Sequence, residues 1–301
     1  MTNKRMLIIA NPTARHGESA ALIPVVQRLL ESAGRHRVAL TQYPGHAQRI
    51  ARAADGYDLV VAMGGDGTVH EVLNGLMGLS EKRRPALSLL PTGSGNDWRR
   101  ILDISADLPT AVNQVLTGVR RRIDIGTCNG TYFANSFSVG LDARVTAKAI
   151  EMKVTTERSG LGLYYRAALE VLLHDFGSWR LNIAKDGAEP AEHDVLMLAA
   201  TIGRTYGGGF KITPDAIDDD GLLEVCVIDR LPLASALWRL PLMAAGKHRW
   251  MSVVHLERHQ TLSIHAPGPV PAQMDGEVLL GDDYEIGIVP AGLEVVVPRP
   301  A

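Results

Sequence analysis

Two cysteines, Cys128 and Cys226, are all that the 301 residues contain, too few for a disulfide framework or a cysteine-rich zinc site. Both thiols are expected as core packing in a reducing compartment. No apolar run approaches the roughly 18 residues of a membrane span, so any membrane contact is expected to be peripheral. The stretch Met6-Leu7-Ile8-Ile9-Ala10 runs straight into Asn11-Pro12, too short for the core of a signal peptide, which predicts a cytoplasmic protein. The ten histidines show no HExxH or similar spacing, and none is assigned to a metal. No aromatic-basic interleaving accompanies the arginines, which argues against a nucleic-acid partner.

At 46% hydrophobic and 21% charged the composition is that of a soluble globular protein, long enough for two domains. Residues 1–125 hold 16 Lys/Arg against 11 Asp/Glu, and residues 126–301 hold 15 against 22. A basic first half suits a polyphosphate ligand. The cluster Arg120-Arg121-Arg122 reads as a solvated helix end or linker.

Up to about residue 125, short apolar runs alternate with helical periodicity: strands over 6–10, 37–42, 59–63 and 86–90, helices over 19–32, 47–54, 69–77 and 107–116. This rhythm predicts a doubly wound, Rossmann-like parallel sheet covered on both faces. Ligands of such sheets lie beyond the carboxyl ends of the strands. Residues 126–301 read as a mainly β domain, antiparallel and sandwich-like, with strands over 132–139, 179–184, 195–202, 222–228, 261–265, 284–289 and 293–297. Helical exceptions fall over 143–155, 162–174 and 233–246. The boundary is expected near Arg122 to Thr127, with the final strand packing back on the first domain.

The run Gly64-Gly65-Asp66-Gly67-Thr68 follows an apolar strand and precedes a helical pattern. Bare backbone N–H groups beside a helix start suit a phosphate. A carboxylate beside a phosphate is repulsive unless a cation such as Mg²⁺ lies between them, so Asp66 points to a metal-nucleotide loop. A second glycine loop, Pro91-Thr92-Gly93-Ser94-Gly95-Asn96-Asp97, also follows a strand. Asp66 and Asp97 are then candidates to share one Mg²⁺, directly or through water. Taken singly, each loop also reads as a tight turn.

Together these loops resemble the catalytic domain of diacylglycerol kinases, sphingosine kinases and bacterial YegS-like lipid kinases, in the superfamily that also holds NAD kinases. The resemblance rests on NPTA at 11–14, Thr41 with PGHA at 44–47, GGDGTVHEVLNGL at 64–76, PTGSGND at 91–97 and IDIG at 123–126. YGGGF at 206–210, PDAIDDDGLLEV at 214–225 and MDGE at 274–277 continue it in the expected order.

The resemblance implies an ATP site lined by Asn11, Pro12, Thr13, Ala14, Thr41, Gly64, Gly65, Asp66, Gly67, Thr68, Val69, His70, Glu71, Gly93 and Ser94. It implies a nucleotide Mg²⁺ at Asp66, Asp97 and Asp124, directly or through water, and Asp275 as the base toward a lipid hydroxyl, with Glu277 as a weaker assisting acid. A structural Mg²⁺ is implied at Asp220 with the carbonyls of Ile217 and Leu222. Each has a plainer reading: Asp275 as a turn former, Asp124 as a salt-bridge partner of the arginines, and 218–221 as a solvated β-turn. Two departures stand out, Ala14-Arg15-His16-Gly17 after the first loop and His70 where small or polar residues are common.

The expected activity is ATP- and Mg²⁺-dependent phosphorylation of a lipid hydroxyl. A kinase for NAD or a soluble alcohol, and a non-catalytic nucleotide-binding regulator, are the alternatives. The stretch 231–254 mixes Leu237, Trp238, Leu240, Leu242, Met243, Trp250 and Met251 with Arg239, Lys247, His248 and Arg249, a candidate surface for an anionic membrane or a core helix. Residues 161–173 read as core or as the lining of an acyl groove. A homodimer is compatible with the sequence, which carries no signal for oligomeric state.

Overall fold

The computed structural model describes residues 5–31, 35–155 and 161–300, without the side chains of His16, Val154, Thr155 and Leu161. The expected end of the first helix at Ser32 lies outside the described residues. The chain divides into two compact units, 1–123 with 291–301, and 124–290.

In the first unit, β1 (Met6–Ala10), β2 (His36–Leu40), β3 (Leu59–Gly64) and β4 (Ala86–Pro91) are parallel, in the order β4-β3-β1-β2. β1 and β3 are buried at every position. Continuous apolar runs of this kind are what a sheet covered on both faces demands. The covering helices are α1 (Glu18–Leu30), α2 (His46–Arg52), α3 (Asp66–Met77), the short α4 (Asp97–Ile101) and α5 (Leu108–Thr117). Asp107 caps α5 by accepting the Thr110 N–H at 3.1 Å, and a proline follows in the first turn. The chain end returns as a further parallel strand, Val295 beside Leu87.

Two expectations about this unit need correction. Helix α3 starts at Asp66, three residues before the expected Val69, so the aspartate belongs to the first helical turn and only Gly64 and Gly65 precede it. A negative side chain is favourable there, whereas periodicity registers only where apolar residues begin. The arginine cluster is neither a helix end nor a linker but part of β5 (Val119–Cys128). Arg120 pairs with Glu294 and Arg122 with Glu81, so these charges sit on a strand with local acidic partners.

The second unit is an antiparallel β structure. β6 (Thr131–Phe133) pairs the end of β5, and β7 (Ser136–Gly140), β8 (Trp179–Lys185), β9 (Ala191–Thr201), β10 (Leu223–Asp229), β11 (Val254–His259) and β12 (Thr261–Met274) follow. β9 pairs β8 with its first half and β7 with its second. β12 likewise pairs β8 early and β7 late. These four strands close on one another around a core that includes Phe137, Val139, Leu198, Ala200 and Ile264. Alternate residues of β9, Met197 and Ala199, face the other way into a second core with α6 (Leu141–Thr155), α7 (Leu161–His174) and α8 (Leu233–Ala244).

Three strand expectations fail here for physical reasons. The expected strand 132–139 is two strands, interrupted at Ala134 and Asn135, whose N–H groups turn to a side chain instead of a ladder. The last two expected strands are one, β13 (Glu277–Val297), which passes Pro290 and Ala291, the latter at φ 48°, where the chain leaves the second unit for the first. β11 occupies the end of the stretch 231–254 and beyond, and α8 stops at Ala244.

Candidate functional site

In the first unit the carboxyl ends of β1, β3 and β4 bring three loops together. Gly64 has no room for a side chain: a Cβ there would lie 2.3 Å from Thr68 Oγ1. Thr68 Oγ1 in turn accepts from Asn11 Nδ2 at 3.2 Å, and Asn11 Oδ1 accepts the Thr13 N–H and hydroxyl at 3.0 and 2.8 Å. Asp66 reaches to the start of α4, just after the second glycine loop, where Oδ1 accepts the Trp98 N–H at 3.1 Å. Asp97, 6% exposed, pairs with Arg100 at 2.5 Å. Asn96 holds φ 53° and donates to the Gly93 carbonyl at 2.7 Å.

Ser94 Oγ and Asn96 Oδ1 are buried with no hydrogen-bond partner among the described residues. Buried polar atoms in folded proteins have partners as a rule; of these two, the Ser94 hydroxyl is able to donate to a phosphate, whereas the Asn96 amide oxygen only accepts. Val69 is 1% exposed, leaving only its backbone to serve a ligand. Glu71 takes the N–H groups of Gly45 and Ala47 at 2.8 and 2.9 Å and so caps α2 from α3. Asn74 donates to the His70 carbonyl at 2.9 Å. Thr41 extends the sheet, its N–H bonded to the Ala10 carbonyl at 2.9 Å.

In the second unit Asp124 is 1% exposed. Its carboxylate accepts the Gly221 N–H at 2.7 Å and its own N–H donates to the Asp218 carbonyl at 2.8 Å. The acidic turn and Asp124 are therefore one assembly, which spacing along the chain did not reveal. Asp220 accepts the Leu222 N–H at 3.1 Å and has Arg258 at 3.7 Å, while Ile217 is exposed. Among the described residues no three His, Cys, Asp or Glu side chains form a metal cage. The oxygen donors suit a hard cation completed by carbonyls, water or phosphate.

Asp275 lies in the turn between β12 and β13 at φ 49°, with Gly276 at φ 90°. Its carboxylate accepts three successive N–H groups, Ala134 at 2.7 Å, Asn135 at 2.9 Å and Ser136 at 3.1 Å. The N–H groups at the interruption between β6 and β7 thus hold this side chain in one orientation. Glu277 is exposed on the adjoining strand.

The same unit contains a pocket of about 710 Å³, its open mouth included, lined among others by Leu141, Tyr164, Ala168, Leu172, Leu196 and Met197. Arg239, Leu240 and Met243 of α8 line it as well. The stretch 231–254 divides by role: Trp238 and Trp250 are 51% and 68% exposed, whereas Met251 and His248 are buried. His248 is thereby removed from the expected basic face, and burial pushes its imidazole pKa down. Sequence reasoning also missed Asp142, Gln273 and Asn96. The alternation Ser136-Phe137-Ser138 in a buried strand was the available signal, because buried hydroxyls need partners.

Residues 5–128 match the diacylglycerol kinase catalytic domain, and residues 135–297 match the YegS C-terminal NAD kinase β-sandwich-like domain. The diacylglycerol kinase of Bacillus subtilis strain 168 is 30% identical over 278 residues, 91% of this chain and 90% of that protein. A solved diacylglycerol kinase from Bacillus anthracis Sterne has a TM-score of 0.74 at 20% identity, over 99% of this chain and 97% of that one. An NAD kinase from Archaeoglobus fulgidus, solved in complex with ATP, has a TM-score of 0.55 at 14% identity, over 98% and 93%. The α/β first domain and β-sandwich-like second domain are the NAD kinase-like fold these structures share. No described helix is long and apolar enough to cross a membrane. With both domains matched in order along the chain, this protein belongs to the diacylglycerol kinase catalytic-domain family of lipid kinases, in the form that carries a YegS-type C-terminal domain.

Proposed function

We propose that this chain uses ATP and magnesium to phosphorylate a hydroxyl of diacylglycerol or a related lipid. The observation that carries the lipid half is the pocket of the second unit, whose aliphatic and aromatic walls match the chemistry of an alkyl chain. The buried Ser94 hydroxyl, free to donate beside backbone N–H groups, supports the nucleotide half. Asn11 to Ala14, Thr41, Gly64 to Glu71, Gly93 and Ser94 bind ATP in this reading.

Magnesium, held through Asp66, Asp97 and Asp124, would offset the charge on the phosphate oxygens. The turn at Asp220, with the carbonyls of Ile217 and Leu222, would take a structural magnesium. Asp275 accepts the proton of the lipid hydroxyl as its oxygen bonds the γ-phosphorus and the bond to the β-phosphate oxygen breaks, releasing ADP. Glu277 assists from the next strand. Positioning and charge neutralisation supply most of the rate in such a loose transfer.

Exposed Trp238 and Trp250, near Lys247 and Arg249 in sequence, suit a peripheral contact with an anionic cytoplasmic bilayer surface. The test is transfer of labelled γ-phosphate from ATP to a total lipid extract, with mass identification of the product. Ala168→Phe, which fills the pocket, should raise the lipid KM at least about tenfold and leave the ATP KM unchanged. Label appearing in NAD or a soluble alcohol and in no lipid would overturn the reading.

A further inference from the structure

A buried line of hydrogen bonds in the second unit runs from the apolar pocket to the turn that carries Asp275. Helix α6 brings Asp142 to the pocket wall. Its carboxylate accepts from the Ser138 hydroxyl at 2.5 Å and Gln273 Nε2 at 3.3 Å, and from the hydroxyl of Tyr206, which lines the same pocket. Gln273 Nε2 also donates to Ser138 Oγ at 3.0 Å. The other end of that amide, Oε1, accepts the Gly276 N–H at 2.9 Å. Gln273 is 2% exposed, so water offers neither end a substitute.

An Asp-Gly hairpin turn holds its own shape through its flanking pair, here Met274 and Glu277. It does not require a side chain from outside the turn. The bond from Gly276 to Gln273 therefore adds orientation beyond what the turn supplies, at the residue next to Asp275. A buried amide bonded at both ends has one orientation only.

We propose that Gln273 is a positioning residue for Asp275, with Asp142 as its partner on the pocket side, so that filling the pocket is felt at the turn. The proposal rests on the reading of the pocket as the seat of the lipid chain and of Asp275 as the base. An alkyl chain in the pocket excludes water around Asp142 and Tyr206, and hydrogen bonds among them and Gln273 strengthen in the drier surroundings.

Burial pushes the Asp142 carboxyl up to about 6, against the lowering by Ser138, Gln273 and Tyr206. The groups that face this cluster are Tyr206 from the loop after β9, Tyr164 from α7, Cys226 from β10 and Arg239 from α8. Burial raises the Tyr206 phenol well above its usual range and the Cys226 thiol to about 12. With their values raised, neither this phenol nor this thiol titrates between about pH 5 and 8. His248 also borders the pocket, through the Ile212 and Met243 backbone, and burial pushes its imidazole down; a response of the turn near pH 6 that Asp142→Asn abolishes reports Asp142, and one that survives it belongs to His248. Once protonated, Asp142 offers the Gln273 amide N–H a weaker acceptor, and the amide that ties the turn is held less firmly from the pocket side, by Ser138.

The experiment follows the Gly276 amide in proton–nitrogen correlation spectra of the full chain, across pH and on addition of dioctanoylglycerol. The signal should shift with a midpoint near 6 in the wild type and stay flat in Asp142→Asn. Dioctanoylglycerol should move it in the wild type and not in Gln273→Met. In that variant kcat should fall about tenfold to a hundredfold with the ATP KM unchanged. A Gly276 amide that ignores both pH and lipid, or a Gln273→Met enzyme with wild-type kcat, would overturn the proposal. The amide responding while no lipid is phosphorylated would uphold the coupling and remove the kinase reading. Lipid phosphorylated with a silent amide would remove the coupling alone. Should Gln273→Met fail to fold, the pH series on wild type and Asp142→Asn decides.

Discussion

Gly93 stands so close to Gly65 that a Cβ built on it would lie 2.2 Å from the Gly65 Cα and 2.7 Å from its nitrogen. The ends of β3 and β4 thus meet backbone to backbone, and the two glycine loops act as one surface. Gly93→Ala must force them apart. We expect a loss of about 1–3 kcal/mol in urea unfolding, as for overpacking elsewhere, and ATP binding at least about tenfold weaker by calorimetry. Unchanged ATP affinity would move the nucleotide away from these loops.

Glu71 reaches from α3 to the start of α2, where it binds the Gly45 and Ala47 N–H groups. Its carboxylate replaces the capping side chain that Gly45 lacks. Glu71→Ala should cost about 1–2 kcal/mol of stability, the range of a lost helix cap. Chemical unfolding measures this directly, and a loss of ATP affinity without a loss of stability would assign Glu71 to the ligand instead.

Asp275→Asn tests two roles at once. The asparagine oxygen can keep the Asn135 and Ser136 N–H groups, but its NH₂ then meets the Ala134 N–H, donor to donor. A destabilisation of about 1–3 kcal/mol is expected from that clash. Lipid phosphorylation should fall by about 10²- to 10⁴-fold, the range for losing a general base. A stability loss with phosphotransfer intact would leave Asp275 as an anchor for the β6–β7 interruption.

Asp142 gives the stability a pH dependence of known sign. Its carboxyl is raised from the ordinary 3.8 to about 6 by burial, offset by bonds from Ser138, Gln273 and Tyr206. The folded state therefore holds a proton that the unfolded state has released between these values. Stability should rise as pH falls through 6 toward 3.8. Relative to Asp142→Asn, the wild type should gain about 1.4 kcal/mol from about pH 7.5 to about pH 5. Parallel curves for the two proteins would place the carboxyl in ordinary solvent.

Much of the fold was legible because its signals are local. The buried runs 6–10 and 59–63 could only be strands of a covered sheet, and the glycine loops after β3 and β4 announced strand ends. The break at Ala134 and Asn135 was not legible, since nothing within 132–139 requires it. Its cause is a carboxylate about 140 residues away in sequence. The arginines of β5 misled for a similar reason, as Glu81 and Glu294 reach them only once the chain has folded.

By itself the sequence determined the alternation of strands and helices, the glycine positions and the apolar faces, because backbone state and side-chain periodicity depend on neighbours within a few residues. Tertiary structure alone decided that Gly65 touches Gly93, that Asp124 belongs with the turn at Gly221, and that Asp142 meets Gln273 across 131 residues. Those contacts depend on strand order and register, which long-range pairing sets and no local spacing encodes.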